Sequence, residues 1–192
     1  MLFPILIANR RRGLAGLQRA YPGHAVHDLT SRSANLAFQR FSPFFPHGGI
    51  PVPFSGLFSQ SVEGVWQGLK VFDLVGGDRE EIDTTCFANT TQKGLKRTLR
   101  RRGRVRCVGH YCIESGVLLR YLEARREIYL PAYNFVLEHR LEGELQALAE
   151  AARQSPLVLL DYSTNADVSD FRTPLSHAAL VRDRLISVFG PD

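Results

Sequence analysis

The sequence has little of what would staple, anchor or export a protein. Among its 192 residues there are three cysteines, Cys86, Cys107 and Cys112. An odd and sparse set excludes a disulfide framework, and it points to a reducing compartment in which the thiols are buried. No apolar run approaches the ~20 residues that a membrane helix needs, so no membrane partner is expected. The opening MLFPILIANRRR places its apolar stretch before its positive charges, the reverse of a secretory signal, and reads as a first strand. A cytoplasmic protein is the expectation. Internal repeats and low-complexity tracts are missing. The run CVGHYC (107–112) offers Cys107, His110 and Cys112 in an unusual spacing, one ligand short of the four that structural zinc takes. No metal and no cofactor is expected.

What is present is a globular composition, 44% apolar and 22% charged, in a chain long enough to bury a core as one domain over residues 1–192. Residues 2–8 read as a strand, with Pro4 at a sheet edge or strand start. A short helix over 13–21 is closed by Pro22-Gly23, and 24–29 alternates like a second strand. This strand–helix–strand order over 1–40 allows a small parallel pair packed as an extension on the core. Further helices are expected at 116–130, from Pro131 to about 153, and from Pro174 to about Val188 with Thr173 as N-cap. The run LVLLDY (157–162) has strand length and ends on Asp161. The fold class is α+β, predominantly helical with a few short strands.

Two stretches stand out. Residues 41–58, FSPFFPHGGIPVPFSGLF, hold four prolines, three glycines and five phenylalanines. The first two exclude a long helix and the last asks for burial, so a packed loop is expected. Between Lys93 and Arg106 there are eight Lys or Arg and no acid. Such a block suits a phosphate-bearing partner, nucleic acid or nucleotide, although a solvated basic helix satisfies the same composition.

The segment SQSVEGVWQGLKVF (59–72) carries the only tryptophan. Its length suits one helix over about 61–73. On that helix Glu63, Trp66, Gln67 and Lys70 share a face, while Val62, Val65, Leu69 and Phe72 form the core stripe. Gly64 and Gly68, one turn apart, weaken the helix by ~1 kcal/mol each relative to alanine, so something must pack or bind close to them. Glu63 in the first turn meets free amides and the helix dipole, which favour its ionised form.

FSPF (41–44), the Pro/Gly-rich loop and then SVEGVWQGLKVF together resemble the NADAR superfamily. Its members show an FSNF-like element followed by a helix with Glu, Gln and Lys at the spacing of Glu63, Gln67 and Lys70. Phe41 and Ser42 match the earlier element. KGLKRT (93–98), LDYSTNAD (160–167) and PLSHAALV (174–181) sit where the family has its basic segment, its Asn-bearing segment and its closing helix. Gly64 stands where the family helix has histidine, and SDFRTP replaces its glycine-rich run.

The resemblance implies an N-glycosidase-like hydrolase of NADAR-like fold. Its substrate would be an ADP-ribosylated base or a related nucleotide N-glycoside, with the Glu63 carboxylate at the anomeric centre. Asp161 or Asp167 would supply a second catalytic carboxylate. Asn165 would bind ribose or base, and Trp66 or a phenylalanine such as Phe41 would stack on the base. Lys70, Lys96 and Arg97 would meet a pyrophosphate. Ser42 and Gln67 complete the substrate set, and His177 is either a replacement proton carrier or a hydrogen-bonded structural histidine. The alternative is a binder of nucleotides or nucleic acid that keeps the pocket without the chemistry.

Overall fold

A computed structural model describes residues 1–73, 79–95 and 106–190, with only the backbone of Glu80. In chain order the strands and helices are β1 (Ile5–Asn9), α1 (Gly13–Ala20), β2 (Ala25–Asp28), α2 (Leu36–Gln39), β3 (Ile50–Pro51), β4 (Phe58–Ser59), α3 (Val62–Gly68), β5 (Lys70–Asp73) and β6 (Arg79–Glu80). They continue with β7 (Arg106–Tyr111), β8 (Leu118–Leu119), α4 (Tyr121–Ala124), α5 (Leu130–His139), α6 (Glu142–Gln154), β9 (Leu157–Asp161) and α7 (His177–Phe189). The protein is α+β. No helix among the described residues is long and apolar enough to cross a membrane. The chain divides into two compact units, a flanking one of Met1–Ser42 with Leu137–Asp192 and an inserted one of Pro43–Val136.

The flanking unit is built on a parallel sheet of order β1-β9-β2. Both β1 and β2 were expected to pair with each other, but β9 lies between them, with Ile5 and Ala25 each in register with Leu157. The reason is apolarity. Every residue of LVLLD is buried, and only the central position covers a strand on both edges and both faces. Leu145, Leu148, Ala149 and Ala152 of α6 are buried, as are Ala178, Ala179, Val181 and Leu185 of α7. Ala8, Leu17, Val158 and Leu160 form a further apolar cluster, with Tyr21 and Val26 packed on it.

The inserted unit contains an antiparallel sheet of order β6-β5-β7-β8 and the short pair β3-β4. Here the local expectations need correction. The helix expected over 61–73 ends at Gly68, and Lys70 already opens a strand whose register shifts between Val71 and Phe72. Pairing of KVFD along both edges outweighs helix continuation past a glycine. Phe72 therefore leaves the helical core stripe. Leu118 and Leu119, expected in a helix, form β8, and the helix begins at Tyr121.

Pro131 lies in the first turn of a further helix, α5, as expected, but that helix is joined to α4 without a break in the chain's coiling. Residues Arg125–Tyr129 form a π-helical turn between α4 and α5, in which the Leu130 amide donates to the Arg125 carbonyl five residues back. The widened turn lies directly before a residue that has no amide hydrogen and would crowd the preceding turn. The helix expected to reach residue 153 breaks at Arg140–Leu141, dividing α5 from α6. The last helix is capped by Ser176, whose hydroxyl accepts from the Ala179 amide, and not by Thr173. In the 41–58 loop Phe41 is fully buried whereas Phe58 is 65% exposed, so the aromatics are not uniformly packed. Cys107 is exposed, against the expectation of three buried thiols.

The glycine pair has a packing cause. A Cβ on Gly64 would lie 2.7 Å from the Cys86 carbonyl oxygen and equally tight against the Ser59 hydroxyl, and one on Gly68 would enter the Phe87 ring. Cys86 and Phe87 belong to a 3-10 turn, Thr84–Ala88, which therefore rests directly on the α3 backbone. A Cβ on Gly143 of α6, by contrast, meets nothing. Gly64→Ala should destabilise the protein by about 1–3 kcal/mol through overpacking, despite alanine's better helix propensity. Gly143→Ala should be neutral or stabilising by up to about 1 kcal/mol. Urea unfolding midpoints of the two variants test this contrast.

Candidate functional site

The site is laid out by α3. Ser61 caps the helix, its hydroxyl accepting from the Gly64 amide at 3.0 Å, and the Glu63 amide donates to the Pro43 carbonyl at 2.9 Å. These two bonds seat Glu63 in the first turn with its side chain turned inward, 9% exposed. Its Oε1 accepts from the Leu95 amide at 2.9 Å and from Gln67 Nε2 at 3.1 Å. Gln67 Oε1 in turn accepts from Lys70 Nζ at 2.9 Å. Lys70 is thus linked to Glu63 through an amide, although it stands on β5 and not on the expected helix.

Gly94 approaches the same carboxyl, with the Phe44 ring close to Gly94. A Cβ on Gly94 would lie 3.6 Å from Glu63 Oε1 and 3.6 Å from the Phe44 ring. Among the described residues none donates a hydrogen bond to Oε2. Burial pushes the Glu63 carboxyl above its ordinary range, and the Leu95 amide, the Lys70 charge and the Gln67 amide only partly oppose it. Desolvation outweighs the helix dipole at this nearly buried first-turn position, so the carboxyl is shifted up and not down as expected.

Trp66 is half-buried. Its ring packs on the His110 ring at 3.8 Å between centroids, with Tyr121 and Tyr129 edge-on at 5.8 and 5.7 Å. Lys70 Nζ lies 5.8 Å from the centroid of the Trp66 ring. His110 faces Lys70 across the β5–β7 ladder and is 1% exposed, with neither ring nitrogen hydrogen-bonded. Burial, helped by the Lys70 charge, pushes its imidazolium down to about 3, so the ring is neutral. The Trp66 carbonyl pulls the other way without reaching hydrogen-bond geometry. His110 enters sequence reasoning only through its cysteine neighbours. The burial pattern of RCVGHY does not alternate, so the strand offers no local signal that would have found it.

The remaining expected residues lie in the flanking unit. Asp161 closes β9 and is 5% exposed. Its Oδ1 accepts from the Tyr162 amide at 2.6 Å, and its Oδ2 accepts from the Ser176 hydroxyl at 2.8 Å and lies 2.9 Å from His177 Nδ1. His177 Nε2 is 3.0 Å from the Leu29 carbonyl oxygen. With an oxygen acceptor at each nitrogen, the ring carries both protons. Although burial disfavours its charge, Asp161 and the Leu29 carbonyl raise its pKa overall. Burial likewise opposes the Asp161 charge, but His177, Ser176 and the Tyr162 amide bring that carboxyl below its usual range. Asp161 and His177 thereby tie β9 to α7 and to the end of β2, and both Asp161 oxygens are spent inside the unit.

Asp167 is exposed and accepts from the Ser169 amide at 2.8 Å, and Asn165 Nδ2 donates to the Asp170 and Thr173 carbonyls at 3.0 Å each. Both hold the shape of the loop between β9 and α7. Phe41 is fully buried and offers no face for stacking, and Ser42 is 3% exposed. Lys96 and Arg97, with most of the basic block, lie outside the described residues. Among the described residues no group of three or more His, Cys, Asp or Glu is placed to hold a metal ion.

Two stability predictions follow from these opposite settings. Glu63 has a raised folded value, so its ionisation costs stability, and that cost sets in as pH rises past the ordinary value of 4.5 and is complete above the folded value. Glu63→Gln should be no more stable than the parent at low pH and more stable above the ordinary carboxylate range, in paired urea titrations. The Asp161–His177 pair behaves differently. The contribution of Asp161 is present above the ordinary value of 3.8 and is lost as pH falls through its lowered value. That of His177 is complete below 6.5 and is lost as pH rises through its raised value. Asp161→Asn should cost about 3–5 kcal/mol between those limits, and the deficit should shrink above the folded His177 value.

Comparison with known proteins gives one family. No curated protein and no solved structure matches the chain. The model of a family of unknown function, DUF6939, matches residues 9–181. With the match running from the end of the first strand into the last helix, the chain belongs to the DUF6939 family.

Proposed function

We propose that the inserted unit carries an N-glycosyl hydrolase site at Glu63, acting on an ADP-ribosylated base or a related nucleotide N-glycoside. The observation that carries this reading is the Glu63 carboxyl itself. It is buried and shifted toward its protonated form, held through Oε1 by Leu95 and Gln67, and has Oε2 unclaimed by any described residue. The resemblance of the FSPF and SVEGVWQGLKVF elements to NADAR proteins supports the substrate class.

The chemistry is a single displacement balanced on one carboxyl. As the C–N bond breaks, its electron pair goes to the departing nitrogen, which takes the proton from Glu63. Water adds to the anomeric carbon of the cation-like sugar and returns a proton to the Glu63 carboxylate. Lys70, held against Gln67, stabilises that carboxylate while it is ionised. Trp66, one face of which is covered by His110, is fixed in orientation beside Lys70 and has its remaining surface for the base.

A binder without turnover is favoured by one observation. Ser59 and the Cys86 carbonyl occupy the space that a side chain at position 64 would need, so the histidine of the NADAR helix has no counterpart there. The assay separates the two readings. Purified protein should release ADP-ribose from ADP-ribosylated guanine nucleotides, with the rate falling as pH rises past the Glu63 value, and Glu63→Gln should lose about 10²–10⁴ of it. Unchanged turnover in the variant removes Glu63 from the mechanism. A thermal shift with ADP-ribose but no turnover of any N-glycoside supports the binder.

A further inference from the structure

The strongest feature outside the Glu63 site is at the carboxyl ends of the parallel sheet in the flanking unit. The chain leaves β1 through Asn9 into a 3-10 turn, Arg10–Arg12, while β2 ends on Asp28 and β9 ends on Asp161, followed by Tyr162. In sheets of parallel strands, ligands gather outside these carboxyl ends. Here the ends are tied into one rim. Asn9 Nδ2 donates to the Tyr162 carbonyl at 2.7 Å, and Asn9 Oδ1 accepts from the Arg11 amide at 2.9 Å. Arg10 Nε donates to Asp28 Oδ2 at 2.6 Å and its Nη2 to the Arg32 carbonyl at 3.2 Å. Asp28 also accepts from the amide and hydroxyl of Thr30, at 3.0 and 2.8 Å.

The charge on this rim is unbalanced. Asp28 is spent on Arg10, and Asp161 is buried on His177. Arg11, Arg12 and Arg32 are exposed, and none forms an ion pair with a described residue. The Tyr162 ring is 37% exposed, with the Arg10 and Arg11 guanidinium carbons 5.9 and 5.7 Å from its centroid. One free guanidinium fork, that of Arg11, lies beside this ring, and Arg12 and Arg32 add exposed positive charge in the same strand-end segments. Such forks match phosphate oxygens in pairs, which is the chemistry of an oxyanion receptor.

We propose that this rim binds the phosphate of a small phosphate monoester, with Arg11, Arg12 and Arg32 as its cations and Tyr162 alongside the organic part. A small dianion fits better than a polynucleotide. The loop that continues from Tyr162 carries Asp167, which is exposed, and Asp170, which holds Arg172. Their negative charge disfavours an extended polyanion more than a single terminal phosphate. The proposal is independent of the Glu63 reading, because it concerns residues of the other unit.

Calorimetric titration of the full chain with inorganic phosphate, adenosine 5′-monophosphate, adenosine and a single-stranded oligonucleotide tests it. Phosphate and the monophosphate should bind and adenosine should not. Arg11→Ala/Arg12→Ala should weaken monophosphate binding at least about tenfold, and Arg11→Lys/Arg12→Lys should retain part of it, with unchanged melting in both. Three outcomes overturn the proposal: no binding of either phosphate probe, affinity unchanged in the double alanine variant, or salt-sensitive binding of the oligonucleotide alone.

Discussion

Taking a carboxylate out of water costs several kcal/mol unless its charge is met, and each unit is organised around one answer to that constraint. In the flanking unit Asp161 receives a cation. His177, a serine hydroxyl and a backbone amide surround it, and the resulting ion pair joins the central strand to the last helix and to the end of β2. In the inserted unit Glu63 receives neutral donors, and Lys70 stands an amide away. The first arrangement holds a charge in place. The second shifts the carboxyl toward its protonated form, and this difference is why we place the proposed chemistry at Glu63.

The position of Glu63 depends in turn on a close approach of backbones. Gly64 and Gly68 let the Thr84–Ala88 turn lie against α3 with no side chain between them. This contact accounts for two glycines in a seven-residue helix and for the absence of a side chain at position 64. It also makes α3 short and rigidly seated. Ser61 caps its start, and the chain turns into β5 at Lys70, so the lysine is held by a sheet and the glutamate by a helix. A relay spanning two elements is harder to distort than one on a single frayed helix.

How much of this was legible in the sequence depended on the range of the forces involved. The β9 run was readable because five consecutive apolar residues demand burial whatever surrounds them. Its place between β1 and β2 was not, because pairing partners distant in the chain leave no local mark. The Glu63–Gln67–Lys70 relation was visible as a spacing and survived even though the helix ended early, since Lys70 still lies one turn beyond Gln67. His110 and the Leu95 amide were invisible for the opposite reason. Neither is near Glu63 in sequence, and a backbone amide has no residue signature at all.

The sequence by itself determined the α+β class, the apolar run of β9, the polar helix with its paired glycines and the concentration of positive charge after β1. Each follows from residue type and short-range spacing, which act on the chain wherever it folds. Only the tertiary structure decided the direction in which each carboxyl is shifted. Both Glu63 and Asp161 are acids next to apolar runs, and nothing local distinguishes them. The histidine that meets Asp161 arrives from 16 residues away and, with its neighbours, outweighs burial. Among the described residues Glu63 is hydrogen-bonded only by amides, one of them from 32 residues away, and burial sets the direction of its shift.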